Sequence, residues 1–316
     1  MGRALLRGVS IKPSDLLRFL AAIVAVVVIA VVVVLRVASH GPAHAPMPAA
    51  ASPIVLQPPK PAPVRGAEAC DAAAWRQAAA ANARSLESLA WSPFGRPETG
   101  WTIYAPLIAR EIGAGCGPQT PGFAAAYAAW QGRQRFAADG IFKADDFPRL
   151  RGVIETRRPF VQLTARGICP APPADAALQA ASPAEGYGGK IVSLRAGALA
   201  AYRRMAAAAR AEGVAGGDDF KLVSGFRGPV EEAMRCAGGG CNTVSKAGCS
   251  AHRTGLAVDI YLGRAPGADP VSSDEANRRA IVGTPAYRWL VANADRFGFV
   301  NYPFEPWHWE WTGEAP

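Results

Sequence analysis

The pattern of hydrophobic and polar positions changes character several times along the chain. Phe19–Leu35 is an unbroken apolar run, with Arg18 before it and Arg36 after it. At about 1.5 Å per residue such a run reaches the short end of what crosses a bilayer core of about 30 Å. Residues 38–69 lose all periodicity and are dominated by Ala and Pro, the composition of an extended spacer. Helical patterns then cover Ala72–Leu89, Thr102–Ile112 and Phe123–Phe136, interrupted by Gly117-Pro118 and Pro121. Residues 171–185 are again rich in Ala and Pro and read as a second linker.

From Gly186 onward helices and short strands mix. Arg195–Glu212 predicts a helix with Leu199, Tyr202 and Met205 on one side. Phe220–Ser224 predicts a strand. Leu256–Tyr261 alternates, with Leu256, Val258 and Ile260 on one face and Asp259 on the other. Residues 284–296 predict a helix with Pro285 in its first turn. Trp307–Trp311 alternates three Trp with His308 and Glu310. No regular βαβ alternation appears, so the expected class is α+β, a small antiparallel sheet flanked by helices. The expected organisation is a basic cytoplasmic tail (1–18), a transmembrane anchor (19–37), a linker (38–69), a helical accessory domain (70–170), a linker (171–185) and a C-terminal domain (186–316).

The net charge of +9 could point to nucleic acid. Its distribution argues otherwise. Arg3, Arg7, Lys12, Arg18 and Arg36 against Asp15 put four of the nine charges beside the apolar run. There they serve to hold the flank in the cytoplasm and leave the remainder outside. No nucleic-acid partner is expected. A cleaved signal peptide is the alternative, with small residues at Ala43-His44-Ala45. Either way the domain is exported, and the six Cys suit an oxidising compartment. A boundary after Cys169 leaves three Cys on each side, so full pairing requires at least one bridge between the two parts.

Of four His, only His252 and His308 lie beyond the linker. Two imidazoles with a carboxylate make a three-ligand zinc set. Asp259 lies on the polar face of its strand, and His252 precedes that strand by a turn that Gly255 would ease. Glu305, three residues from His308, places a second carboxylate nearby, suited to taking a proton from water. H-E-x-x-H, G-x-S-x-G, S-x-x-K and Walker A motifs are absent from the sequence, which turns the reading away from zincins, serine hydrolases, penicillin-type enzymes and nucleotide binders.

Ser250-x-His252-x6-Asp259 followed by Glu305-x-Trp307-His308 resembles the zinc D-Ala-D-Ala carboxypeptidases of the VanY type, with dipeptidase relatives of the VanX type. Ser224-Gly225-Phe226-Arg227 resembles that family's SGYR segment. Trp289 through Phe299 resembles its W-x-x-x-N-A-x-x-x-G-F stretch. The resemblance covers about residues 186–313. It implies that His252, Asp259 and His308 bind Zn2+, that Glu305 is the catalytic base, that Arg227 polarises the scissile carbonyl, and that Ser250 contacts substrate. It implies hydrolysis of the terminal D-Ala-D-Ala bond of peptidoglycan stem peptides, in the periplasm of a bacterium and anchored in the inner membrane. An endopeptidase on the same zinc scaffold, or a non-catalytic peptidoglycan-binding protein, stays open. Ala137–Phe142 (AADGIF) loosely resembles small peptidoglycan-binding helical domains. The segment between Arg227 and Ser250, with Cys236, Cys241 and Cys249, is shorter than is usual in the family.

Overall fold

Thr120 and Thr284 start two helices in the same way. Each side-chain oxygen accepts a backbone N–H three residues on, from Phe123 and Tyr287, and each is followed by a Pro that needs no hydrogen bond in a first turn. In the computed structural model, which describes residues 70–237 and 248–313, the helical half comprises α1 (Arg76–Ser88), α2 (Ala105–Ile112), α3 (Pro121–Arg133), α4 (Phe147–Glu155) and α5 (Pro159–Leu163). A short hairpin of β1 (Ala90–Trp91) and β2 (Glu98–Thr99) lies between the first two helices. The expected tail, anchor and first linker lie outside the described residues, as does Cys241. Among the described residues no helix is long and apolar enough to cross a membrane.

The C-terminal half adds β3 (Leu178–Ala180), β4 (Ser193–Arg195), α6 (Ala196–Ala211), β5 (Leu222–Ser224), α7 (Pro229–Ala237), β6 (Ala257–Ile260), α8 (Glu275–Val282), α9 (Pro285–Asn293), β7 (Phe299–Tyr302) and β8 (Glu305–Trp311). Four of these strands form one antiparallel sheet in the order β5-β6-β8-β7. The α+β expectation holds for the described residues. The three predicted strands and the five predicted helices all occur within a few residues of their expected bounds. The strands β1–β4 and β7 and the helices α4, α5, α7 and α8 were not anticipated.

The expected division into two domains does not hold. The described residues fall in one compact unit, and a single apolar cluster runs from Trp91 to Trp309. Phe94, in the helical half, packs against Phe304 at 5.1 Å and Tyr302 at 5.9 Å between ring centroids. The physical reason is that Phe94 rests on Tyr104 and Phe147 on one side and needs the β7–β8 hairpin to complete its burial. Residues 171–185 are not a free linker either, since Leu178–Ala180 pairs antiparallel with Ser193–Arg195. Ala137–Phe142 is fastened from within: Gly140 and Phe142 hydrogen-bond the side chains of Asn82 and Gln131.

Two disulfides occur among the described residues. Cys70–Cys116 closes the helical half on itself, and Cys169–Cys249 joins the two halves. The bridge between the parts expected from cysteine parity is therefore present.

Candidate metal and catalytic site

The site begins with a tight turn. Ser250 precedes a single 3-10 turn, Ala251–Thr254, and its Oγ accepts the His252 backbone N–H at 3.3 Å. Gly255 ends the turn at φ +70°, a left-handed conformation that suits glycine; a Cβ there would also press on Leu178 and Arg195. The chain then enters β6, where Asp259 stands directly opposite His308 of β8 in the antiparallel register. Side chains alternate along a strand, so His308 and Glu310 share one side of β8, and Trp307, Trp309 and Trp311 the other. Both sides are buried, because the helical half covers the His308–Glu310 face.

His252, Asp259 and His308 converge there, with one ligand atom from each all within 4.8 Å of one another. Asp259 lies between the two rings. Its Oδ2 is 3.3 Å from His252 Nε2, and its Oδ1 is 3.0 Å from His308 Nδ1. Tetrahedral ligands at zinc distances stand about 3.4 Å apart, so these separations fit. Each ring also faces an oxygen with its other nitrogen. His252 Nδ1 is 2.7 Å from the Gly225 carbonyl oxygen, an acceptor that requires a proton on Nδ1 and leaves the Nε2 lone pair facing Asp259. His308 is turned the other way, with Nδ1 toward Asp259 and Nε2 3.5 Å from Glu310 Oε1.

The charges are consistent with a cation site. Burial raises the Asp259 carboxyl, but the two imidazoles outweigh it and hold Asp259 far below the usual carboxylate range. Burial lowers His308, yet the Asp259 and Glu310 carboxylates beside it win and push it up to about 9. A divalent ion would take the place of a proton between His308 and Asp259. The donor set, two imidazoles and one carboxylate, is one that zinc takes.

The remaining expected residues surround this triad. Glu305 opens β8, partly buried, with Oε2 3.9 Å from His308 Nδ1. Burial raises its pKa, and Asp259 adds to that against the pull of the histidines and Arg158. Arg227 is buried on the His252 side. Its guanidinium donates to Ser250 Oγ at 3.2 Å and Ser224 Oγ at 3.3 Å, and its backbone N–H bonds the His252 carbonyl. Ser224 Oγ is in turn 3.5 Å from His252 Nδ1. Ser250 also bonds through its backbone N–H to Glu232, which pairs with Arg253. All six expected site residues are therefore in one place. Sequence reasoning missed Glu310 and Arg158. Glu310 stood in view beside His308, but nothing local to Arg158 marks it as a partner.

Residues 191–314 match the family model described as VanY, D-alanyl-D-alanine carboxypeptidase. No curated protein sequence matches the chain. Among solved structures it is similar to the LdcB LD-carboxypeptidase, whose structure is described as revealing the basis of peptidoglycan recognition. That match has 28% identity and a TM-score of 0.29, and covers 38% of this chain and 60% of that one. It is also similar to the vancomycin-resistance D,D-pentapeptidase VanY in complex with Zn(II), with 25% identity and a TM-score of 0.27 over 45% of this chain and 83% of that one. The part of the chain that builds the site, residues 191–314, matches the VanY family of D-alanyl-D-alanine carboxypeptidases.

Proposed function

We propose that this protein is a zinc-dependent D,D-carboxypeptidase that removes the terminal D-Ala from peptidoglycan stem peptides. The observation that carries the reading is the placement of Glu305 beside the His252–Asp259–His308 triad, with Arg227 fixed on the opposite flank. A site that only bound peptide would need neither a carboxylate poised at the ligands nor a guanidinium beside them. Zinc, when bound, supplies a Lewis acid that makes water acidic and polarises the scissile carbonyl.

The protein's own groups do the rest. Glu305 takes a proton from the attacking water, whose oxygen bonds to the carbonyl carbon. It then gives that proton to the leaving amine as the C–N bond breaks, so the products are a shortened stem peptide and free D-Ala. Its raised pKa keeps it a strong enough base to accept the first proton and an acid able to deliver it. Arg227 stabilises negative charge on the carbonyl oxygen, with its fork already oriented by Ser224 and Ser250. Ser250 accepts from Arg227 and from His252 N–H, which leaves its own hydroxyl proton for a substrate carbonyl.

The same reading places the domain outside the cytoplasmic membrane, supported by its disulfides and by the apolar run Phe19–Leu35. The test is an assay of the purified protein on muropeptides with pentapeptide and tetrapeptide stems. The expected result is one equivalent of D-Ala from the pentapeptide, lost with chelator and restored by zinc. Release from the tetrapeptide alone would assign an L,D-carboxypeptidase, the activity named for LdcB. No metal-dependent release from either would overturn the reading.

A further inference from the structure

One buried ion pair touches the site and belongs to neither the triad nor the chemistry. Arg158, at the start of α5, binds the Glu310 carboxylate through Nε at 2.7 Å and Nη2 at 2.6 Å, both to Oε1. The other oxygen, Oε2, accepts the Phe160 backbone N–H at 2.9 Å. Arg158 also lies 4.1 Å from the centre of the Tyr302 ring, on the strand beside His308. Arg158 is 6% and Glu310 1% exposed, so water substitutes for none of these contacts. An ion pair this deep gains little stability over packed apolar side chains.

What the pair does have is a direction. Glu310 Oε1 lies 3.5 Å from Nε2 of His308, a buried nitrogen with no closer hydrogen-bond partner among the described residues. We infer that Glu310, clamped by Arg158 from the helical half, is a positioning residue that fixes His308 in the tautomer with the proton on Nε2 and its Nδ1 lone pair aimed at the metal. The inference rests on the zinc reading above. It assigns the helical half a task at the site: it delivers the arginine that orients the carboxylate that orients the ligand. Without that carboxylate the ring has no acceptor for Nε2–H on its buried side, and the tautomer that turns Nδ1 away from binding gains weight.

Zinc affinity, measured by competition with a chromophoric chelator on the whole protein, reads this directly. Replacing the pair together, Arg158→Met with Glu310→Met, removes the acceptor without stranding a charge. The expected loss is about 10–100-fold in affinity, the usual effect of deleting such a partner. Arg158→Met with Glu310→Gln keeps a neutral acceptor for Nε2–H and should recover most of that loss, which a merely structural pair would not do. Equal affinity in parent and both variants would overturn the inference. A measurement on the parent alone covers the case of poor folding: 15N-histidine spectra of the zinc-loaded protein should show His308 protonated on Nε2 and His252 on Nδ1. A proton on Nδ1 of His308 would overturn it equally. The two readings separate cleanly. Zinc bound with this tautomer but no D-Ala released sinks the proposed reaction alone, and a parent that binds no zinc sinks both.

Discussion

The two histidines of the triad do the same job and are held in opposite ways. His252 sits on a 3-10 turn and leans on a backbone carbonyl, that of Gly225, twenty-seven residues away. The hydrogen-bonding groups of this flank, from Ser224 to Arg253, come from the C-terminal half, with Phe160 and Cys169 of the helical half packed behind its turn. His308 sits in the middle of a strand and leans on a side chain, Glu310, whose own anchor Arg158 is 152 residues distant. A backbone acceptor cannot be mutated away. A carboxylate held by a distant arginine exists only once the helical half has packed. The hydrogen bonds of one flank are thus set within the C-terminal half, and those of the other by the packing of the two halves.

The largest effect should come from the chemical group on the assembled flank. Glu305→Gln keeps the shape of the side chain and removes its basicity, and is expected to lower kcat about 10²–10⁴-fold. Zinc affinity should stay within a few-fold of the parent, since Glu305 lies 3.9 Å from His308 Nδ1 and outside the triad. A variant that turns over normally would remove Glu305 from the mechanism. One that loses zinc would make it a ligand.

Next comes the packing that joins the halves. Phe94 is nearly buried against Tyr302 and Phe304, with the Arg151 guanidinium 5.0 Å from its ring centre. Phe94→Ala should cost about 3–5 kcal/mol of stability in denaturant unfolding. Hydrogen exchange should quicken in Phe299–Trp311 more than around His252, if assembly sustains only the hairpin flank. A loss under about 1 kcal/mol would mean that the aromatic contact is incidental, and uniform exchange would dissolve the difference between the flanks.

The flanks also differ in what the sequence made legible. His252, Asp259 and His308 stood out because the folded half holds just two histidines, each beside carboxylates. Gly255 and Pro285 announced a turn and a helix start through their own backbone chemistry, and both are found there. The Arg158–Glu310 pair left no trace, because no periodicity links positions so far apart. Glu310 instead read as the polar side of an alternating strand. Alternation tells which residues share a face, and cannot tell whether another layer will cover it. The same blindness made Pro and Ala at 171–185 look like a linker between domains. Extended chain crossing the surface of one unit has the same composition as chain joining two.

The smallest effect belongs to the local flank. Ser250 Oγ caps the turn under His252 and steadies Arg227, both by single neutral-oxygen contacts over 3 Å. Ser250→Ala should cost about 1 kcal/mol of stability, the usual loss for a cap. Zinc affinity should barely change, because Gly225 still orients His252 through the backbone. The loss should fall on kcat rather than on metal binding, since Arg227 would then keep Ser224 but not Ser250 as an oxygen partner. Parallel zinc titration and steady-state kinetics separate the two. A Ser250→Ala protein that loses zinc as steeply as the Arg158→Met, Glu310→Met protein would show that the local flank depends on side chains as much as the assembled one does.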